Sequence, residues 1–90
     1  MSVMLQVPVT VFRAAFQSDP KSATAAFNLG VALEDRGKLR EAAQAYERAL
    51  ASDPDFLDAH YNLGLLCEAL GKPAAAIRHL SAYKQALDGR

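Results

Sequence analysis

Ninety residues, 51% apolar and 22% charged, make one small globular unit and exclude a disordered chain. Ten basic residues balance ten acidic ones, so the formal net charge is zero; nucleic acid, which needs clustered Lys and Arg, is excluded as the main partner. The single cysteine, Cys67, allows no internal disulfide and points to a reducing, cytoplasmic setting.

In chain order, residues 1–8 form an apolar N-terminal extension without a basic leader, too short for a signal peptide or a membrane span. A helix is expected near 9–18, carrying Phe12, Ala15 and Phe16 and closed by Asp19-Pro20, because proline restricts the residue before it and cannot donate to the helix ladder. The next helix is expected near 23–36. Its Ala26, Leu29, Gly30 and Leu33 fall at i, i+3, i+4 and i+7 on one face, and Gly37 stands where a left-handed cap would end it. A third helix near 39–52 sets Leu39, Ala42, Tyr46, Ala49 and Leu50 opposite Arg40, Gln44, Glu47 and Arg48, and stops at Asp53-Pro54. Asp55 is the expected N-cap of a fourth helix near 57–70, which Gly71 ends. Pro73 then suits the first turn of a last helix near 73–87, where a missing N–H does no harm.

Two of these segments are nearly the same phrase. FNLGVALEDRGK (27–38) and YNLGLLCEALGK (61–72) agree at Asn28/Asn62, Leu29/Leu63, Gly30/Gly64, Glu34/Glu68, Gly37/Gly71 and Lys38/Lys72, each pair 34 residues apart. Asp19-Pro20 recurs as Asp53-Pro54, and Ala42 as Ala76, with the same spacing. Repetition at this period signals stacked units that share a continuous core. Glycine inside a helix costs about 1 kcal/mol relative to alanine, so Gly30 and Gly64 in register call for a close helix contact, with Ala42, Ala49 and Ala76 as further small contact residues.

The pattern closely resembles the tetratricopeptide repeat family. Its signature falls on Ala26, Leu29-Gly30, Leu33, Ala42, Tyr46, Ala49 and Pro54 in residues 23–56, and on His60, Leu63-Gly64, Cys67, Ala76, Leu80 and Tyr83 in residues 57–90. Phe12, Ala15, Phe16 and Asp19-Pro20 resemble the second helix of a further repeat, making 9–22 a partial unit. Departures from the family pattern are Pro8, Ala26 and Tyr83, where it prefers Ala, Trp and Ala. The resemblance implies an all-α fold: antiparallel helix-turn-helix repeats stacked as a short right-handed α-solenoid.

A second stripe lies nearly opposite the packing face of each unit's first helix. It holds Thr24, Phe27, Asn28, Val31, Glu34 and Asp35 in one unit and Asp58, Tyr61, Asn62, Leu65, Glu68 and Ala69 in the other. Aromatic, amide, aliphatic and acidic residues together suit a wet recognition surface better than a core. In the family this stripe lines the concave groove that holds partner peptides, so the resemblance implies a protein–protein interaction module. Phe27, Tyr61, Val31 and Leu65 are then the apolar anchors, and the acids favour a basic or neutral partner. Some family members grip a C-terminal carboxylate with a Lys/Asn/Asn/Lys/Arg clamp. Here Thr24 stands at the first lysine position and the surroundings are acidic, so no such clamp is expected.

Little points to catalysis, a cofactor or a metal. Cys67 falls on the packing stripe, and His60 is two helical turns from it, about 10 Å along the axis. His60 takes a core position, His79 is expected near the edge of the last helix, and neither has an i+4 ligand partner. Asp53 and Asp55 flank Pro54 without calcium-loop spacing. The ends of the array are apolar: Met4, Leu5, Phe12 and Phe16 at one, Leu80, Tyr83 and Leu87 at the other. Self-association through Phe12, Phe16, Leu80, Tyr83 and Leu87 into a homodimer or small oligomer is therefore a rival expectation, and a chain that is a fragment of a longer repeat array is another.

Overall fold

A computed structural model describes residues 7–89. Met4 and Leu5, expected in the apolar extension, lie outside the described residues. Five helices follow one another: α1 Val9–Ser18, α2 Ala23–Asp35, α3 Leu39–Ser52, α4 Leu57–Ala69 and α5 Pro73–Asp88. There is no strand among the described residues. The α2–α3 and α4–α5 pairs are antiparallel hairpins, stacked in series as a short solenoid with α1 against α2.

Helix ends depart from expectation by a residue, and local chemistry explains where they fall. Arg36 and Leu70 leave the helix because Gly37 and Gly71 adopt φ of 76° and 75°. Gly37 N–H then bonds Glu34 O at 2.9 Å and Lys38 N–H bonds Leu33 O at 2.9 Å, the paired bonds of a Schellman cap. Gly71 to Glu68 and Lys72 to Cys67 repeat it at 3.1 and 2.8 Å. At the other ends, the Ser22 side chain caps α2 by accepting from Ala25 N–H at 3.0 Å. Pro73 opens α5 as expected. Asp55 does not cap α4. The N-cap residue is Phe56, and the carboxylate engaged in this turn is Asp53, whose Oδ1 accepts the Asp55 N–H at 3.1 Å. An aspartate just before a proline closes the turn locally, which leaves the cap position to Phe56.

The hairpins close at the two glycines. A Cβ on Gly30 would lie 2.6 Å from Tyr46 Cε1, and one on Gly64 would lie 2.6 Å from Leu80 Cγ. Tyr46, Leu33 and Leu63 are the largest side chains withdrawn completely from water. Burying each leucine contributes roughly 2–3 kcal/mol. Between the hairpins Ala26, Ala49 and Ala59 form a junction of small side chains through which α4 meets α2 and α3. Phe12 and Phe16 are half-buried against the same core, and the Arg48 guanidinium lies 5.8 Å from the centre of the Phe16 ring. Leu80 and Tyr83 are likewise half-buried within the chain, so only Leu87 of the five expected end residues is exposed. Val11 and Ile77 are the more exposed apolar residues, at 54% and 66%.

Alanine at Gly30 meets a rigid, fully buried ring, whereas at Gly64 it meets the half-buried Leu80, whose open-chain side chain has more rotamers than a ring. Gly30→Ala is expected to cost about 1–3 kcal/mol in urea denaturation and Gly64→Ala distinctly less. Equal costs would mean that the Tyr46 ring yields as easily as Leu80.

Candidate partner-binding groove

The second stripe of α2 and α4 is unevenly open. Thr24, Asp35, Asp58, Tyr61, Leu65 and Glu68 are exposed, while Phe27, Asn28, Val31, Glu34 and Asn62 are half-buried. Phe27 lies 5.6 Å from the Tyr46 ring and stacks on Phe56 at 5.0 Å. A helical wheel makes it a free-standing anchor; the structure wedges it between α2, α3 and the start of α4, where such ring pairs contribute about 0.5–1.5 kcal/mol. On α4 the picture differs. Tyr61 rests on Tyr83 at 5.0 Å yet keeps 43% of its surface exposed, and Leu65, one turn further, keeps 44%.

A hydrogen-bonded chain ties the two halves of the stripe. The Tyr46 hydroxyl donates to Glu34 Oε1 at 2.8 Å and accepts from Asn62 Nδ2 at 3.4 Å. Burial pushes the Tyr46 phenol well above its ordinary pKa, with Glu34 adding to the shift, so the group stays a neutral donor. The sequence places Tyr46 in the core but does not show that its buried hydroxyl bonds Glu34 and Asn62 of the stripe. The spacing of 12 residues from Glu34 and 16 from Asn62 crosses two helix boundaries, so no single wheel reveals the contact.

The electrostatics of this face are one-sided. Glu34 and Asp35 on α2 and Asp58 and Glu68 on α4 are its carboxylates, and neither helix carries a lysine or an arginine. Asp58 also shares an open recess of about 370 Å³ with Asp55, Phe56, Leu57, Tyr83 and Leu87. A separate recess of about 300 Å³ between α1 and α3 is floored by Leu29 and Leu33 and rimmed by Arg13, Gln17, Gln44 and Arg48. None of the stripe residues lines it. Its rim includes the exposed Arg13–Glu41 ion pair at 3.3 Å.

The residues weighed for catalysis are placed as follows. Cys67 is buried, and burial pushes its thiol pKa up; Lys72 and Arg78 pull the other way with less effect. His60 is half-buried, and its Nε2 lies 2.8 Å from the Pro54 carbonyl oxygen. His79 is half-buried, and its Nδ1 stands 3.2 Å from His60 Nδ1 across the α4–α5 contact. The 19-residue separation hid this pairing from any i+4 inspection. Among the described residues no group of three or more His, Cys, Asp or Glu side chains is placed to hold a metal ion. No helix among them is long and apolar enough to cross a membrane.

Stacked helical hairpins with a 34-residue period, closed at a recurring glycine, match one family signature. The tetratricopeptide repeat profile aligns with residues 9–46 and again with residues 32–90. The chain belongs to the tetratricopeptide repeat family. Repeats of this family mediate interactions between proteins. No curated protein sequence matches the chain. Similar solved structures include a crystal structure of MamA, 28% identical with a TM-score of 0.80 over 83% of this chain and 44% of that one. A second, MamA 41-end from Desulfovibrio magneticus RS-1, is 22% identical with a TM-score of 0.86 over 91% of this chain and 46% of that one. A third, MamA from AMB-1, is 24% identical with a TM-score of 0.84 over 91% and 45%. The chain thus spans less than half the length of these relatives.

Two measurements check the geometry. Tyr46→Phe deletes the hydroxyl shared by Glu34 and Asn62 and should lower stability by about 1–2 kcal/mol in urea denaturation; an unchanged midpoint would mean that water replaces it without loss. The Cys67 thiol should react with a disulfide reagent far more slowly in the native protein than in urea. Matching rates would place it outside the core.

Proposed function

We propose that this tetratricopeptide repeat chain binds a peptide or helix of a partner protein along the stripe of α2 and α4, and that the partner is basic or neutral rather than acidic. The observation that carries this reading is the exposed pair Tyr61 and Leu65, four residues apart on α4 and bordered by Asp58 and Glu68. Exposed aromatic and aliphatic groups beside carboxylates suit the aliphatic stem and charged head of a lysine or arginine. Thr24, Phe27, Asn28, Val31, Glu34, Asp35 and Asn62 complete the proposed surface, with Phe27 acting mainly by holding its shape. A single groove of this kind gives micromolar affinity, about 8 kcal/mol. We further divide the chain into an extension (1–8), a second-helix unit (9–22) and two repeats (23–56 and 57–90), working in a reducing, cytoplasmic setting without cofactor, metal or catalysis.

A second reading, self-association through the ends of the array, draws on Val11, Ile77 and Leu87, which remain exposed on α1 and α5. Molar mass across a hundredfold concentration range separates the two, since the self-association reading requires a mass above the 9.7 kDa of one chain.

The binding test uses Tyr61→Ala/Leu65→Ala, which spares Phe27 and hence the α2–α3–α4 wedge. Fluorescence titration with a lysine-rich amphipathic helical peptide should show at least a tenfold loss of affinity in this variant. Wild-type binding should weaken with added salt, and an acidic peptide of the same apolar pattern should bind more weakly. Equal affinity of both peptides, or an unaffected variant, would overturn the proposal.

A further inference from the structure

The second hairpin replaces small side chains of the first with titratable rings. His60 stands where the first repeat has Ala26, and His79 where it has Ala45. Both alanines are buried, at 1% and 5% exposure, whereas the two histidines are half-buried and meet across α4 and α5 with ring centres 5.4 Å apart.

The hydrogen bonds fix the protons. His60 Nε2 faces the Pro54 carbonyl at 2.8 Å, which only accepts, so Nε2 carries the proton and Nδ1 a lone pair. His79 Nδ1, at 3.2 Å, must then be the donor to His60 Nδ1. In this state one proton joins the two helices, and His60 also fastens α4 to the turn that follows α3. One added proton can settle on His79 Nε2 without disturbing the bond. A second can go only to His60 Nδ1, the acceptor of the pair. The bond is then lost, and two cations face each other in a partly dehydrated contact.

We propose that the His60–His79 pair is a proton-operated latch that holds α5 on α4 at neutral pH and loosens this hairpin on acidification. The surroundings of His79 favour its neutral form. His79 shares a recess of about 430 Å³ with Cys67 of α4, Glu47 of α3, Lys72 of the preceding turn and Arg78 of α5, while Asp53 and Asp55 flank Pro54. Burial lowers the His79 pKa most; His60 and Arg78 lower it further, and Glu47 opposes them. A histidine whose pKa falls on folding binds fewer protons folded than unfolded. Its stabilising contribution is therefore complete above the ordinary imidazole range, near about 6.5, and drains away as pH falls from there to the folded value.

The test compares wild type with His79→Gln, whose amide can still donate to His60 Nδ1, and with His60→Ala/His79→Ala, which restores the residues of the first repeat. Melting temperatures are measured from pH 7.5 to 5.0. Wild type should lose several degrees more than either variant over this span, and His79→Gln should match wild type at pH 7.5. Parallel pH profiles for all three would overturn the latch. Hydrogen exchange of the wild type gives a readout independent of the variants. Once corrected for intrinsic rates, α4 and α5 amides should lose protection at pH 5.0 ahead of those in α2 and α3, and uniform loss would overturn it as well. NMR titration of wild type should find His79 below the free-imidazole midpoint; a midpoint at or above it would sink the idea even if neither variant folds.

Discussion

The Tyr46 ring lies directly on the backbone of α2 at Gly30, and much of this molecule depends on that contact. The absence of a side chain at Gly30 lets the ring approach so closely that even a methyl group would overlap it. The ring then fills the centre of the first hairpin with no surface left in water. Because its body is fixed there, its hydroxyl is delivered to one place, between Glu34 of the same repeat and Asn62 of the next. One residue thus closes the hairpin, stitches two repeats together and sets the polar pattern on the side where a partner would lie. Its counterpart 34 residues on is Leu80, which seats on Gly64 in the same way but has no hydroxyl to offer. Near-identical helices consequently present different faces: the first is braced by Tyr46, Phe27 and Phe56, and the second leaves Tyr61 and Leu65 open.

The same asymmetry governs how the units stack. Ala26, Ala49 and Ala59 bring three helices together because none of them projects beyond a methyl group. The positions equivalent to Ala26 and Ala49 in the second repeat are His60 and Tyr83. These rings fill space where a following helix would press close, and they find partners within the chain instead, His79 for one and Tyr61 for the other. Positions that hold small side chains at the first junction therefore hold paired rings in the second repeat.

Periodicity carried most of the fold. The 34-residue repeat, the glycines at hairpin contacts and helix ends, and Pro73 in a first turn each reflect a local backbone or packing rule that acts within a few residues, and each appears in the structure where the rule places it. Features that join separate helices were not legible. The wheel gave Phe27 its direction but not its distance from Phe56, so a wedge resembled an anchor. Phe12 and Phe16 looked bare because no linear pattern shows how far α2 and α3 reach over them. The histidine pair depends on the relative register of α4 and α5, which the Leu80–Gly64 seat sets to a fraction of a turn. At the start of α4 two local devices competed for the same turn, and the side-chain bond of Asp53 prevailed over a cap by Asp55.

Overall neutrality conceals a division of charge that follows from the same architecture. The charged side chains of the repeats' first helices are all carboxylates, whereas α3 balances Arg40 and Arg48 against Glu41 and Glu47, and α5 sets Arg78 and Lys84 against the single Asp88. The stripe is therefore negative although the chain as a whole is neutral. At physiological salt its field reaches only about 8 Å. It therefore acts only close to the surface of α2 and α4. Along α4, at a rise of about 1.5 Å per residue, Tyr61 is about 4.5 Å from Asp58 and Leu65 about 4.5 Å from Glu68. Exposed apolar surface and carboxylates thus occupy neighbouring positions on one face of α4.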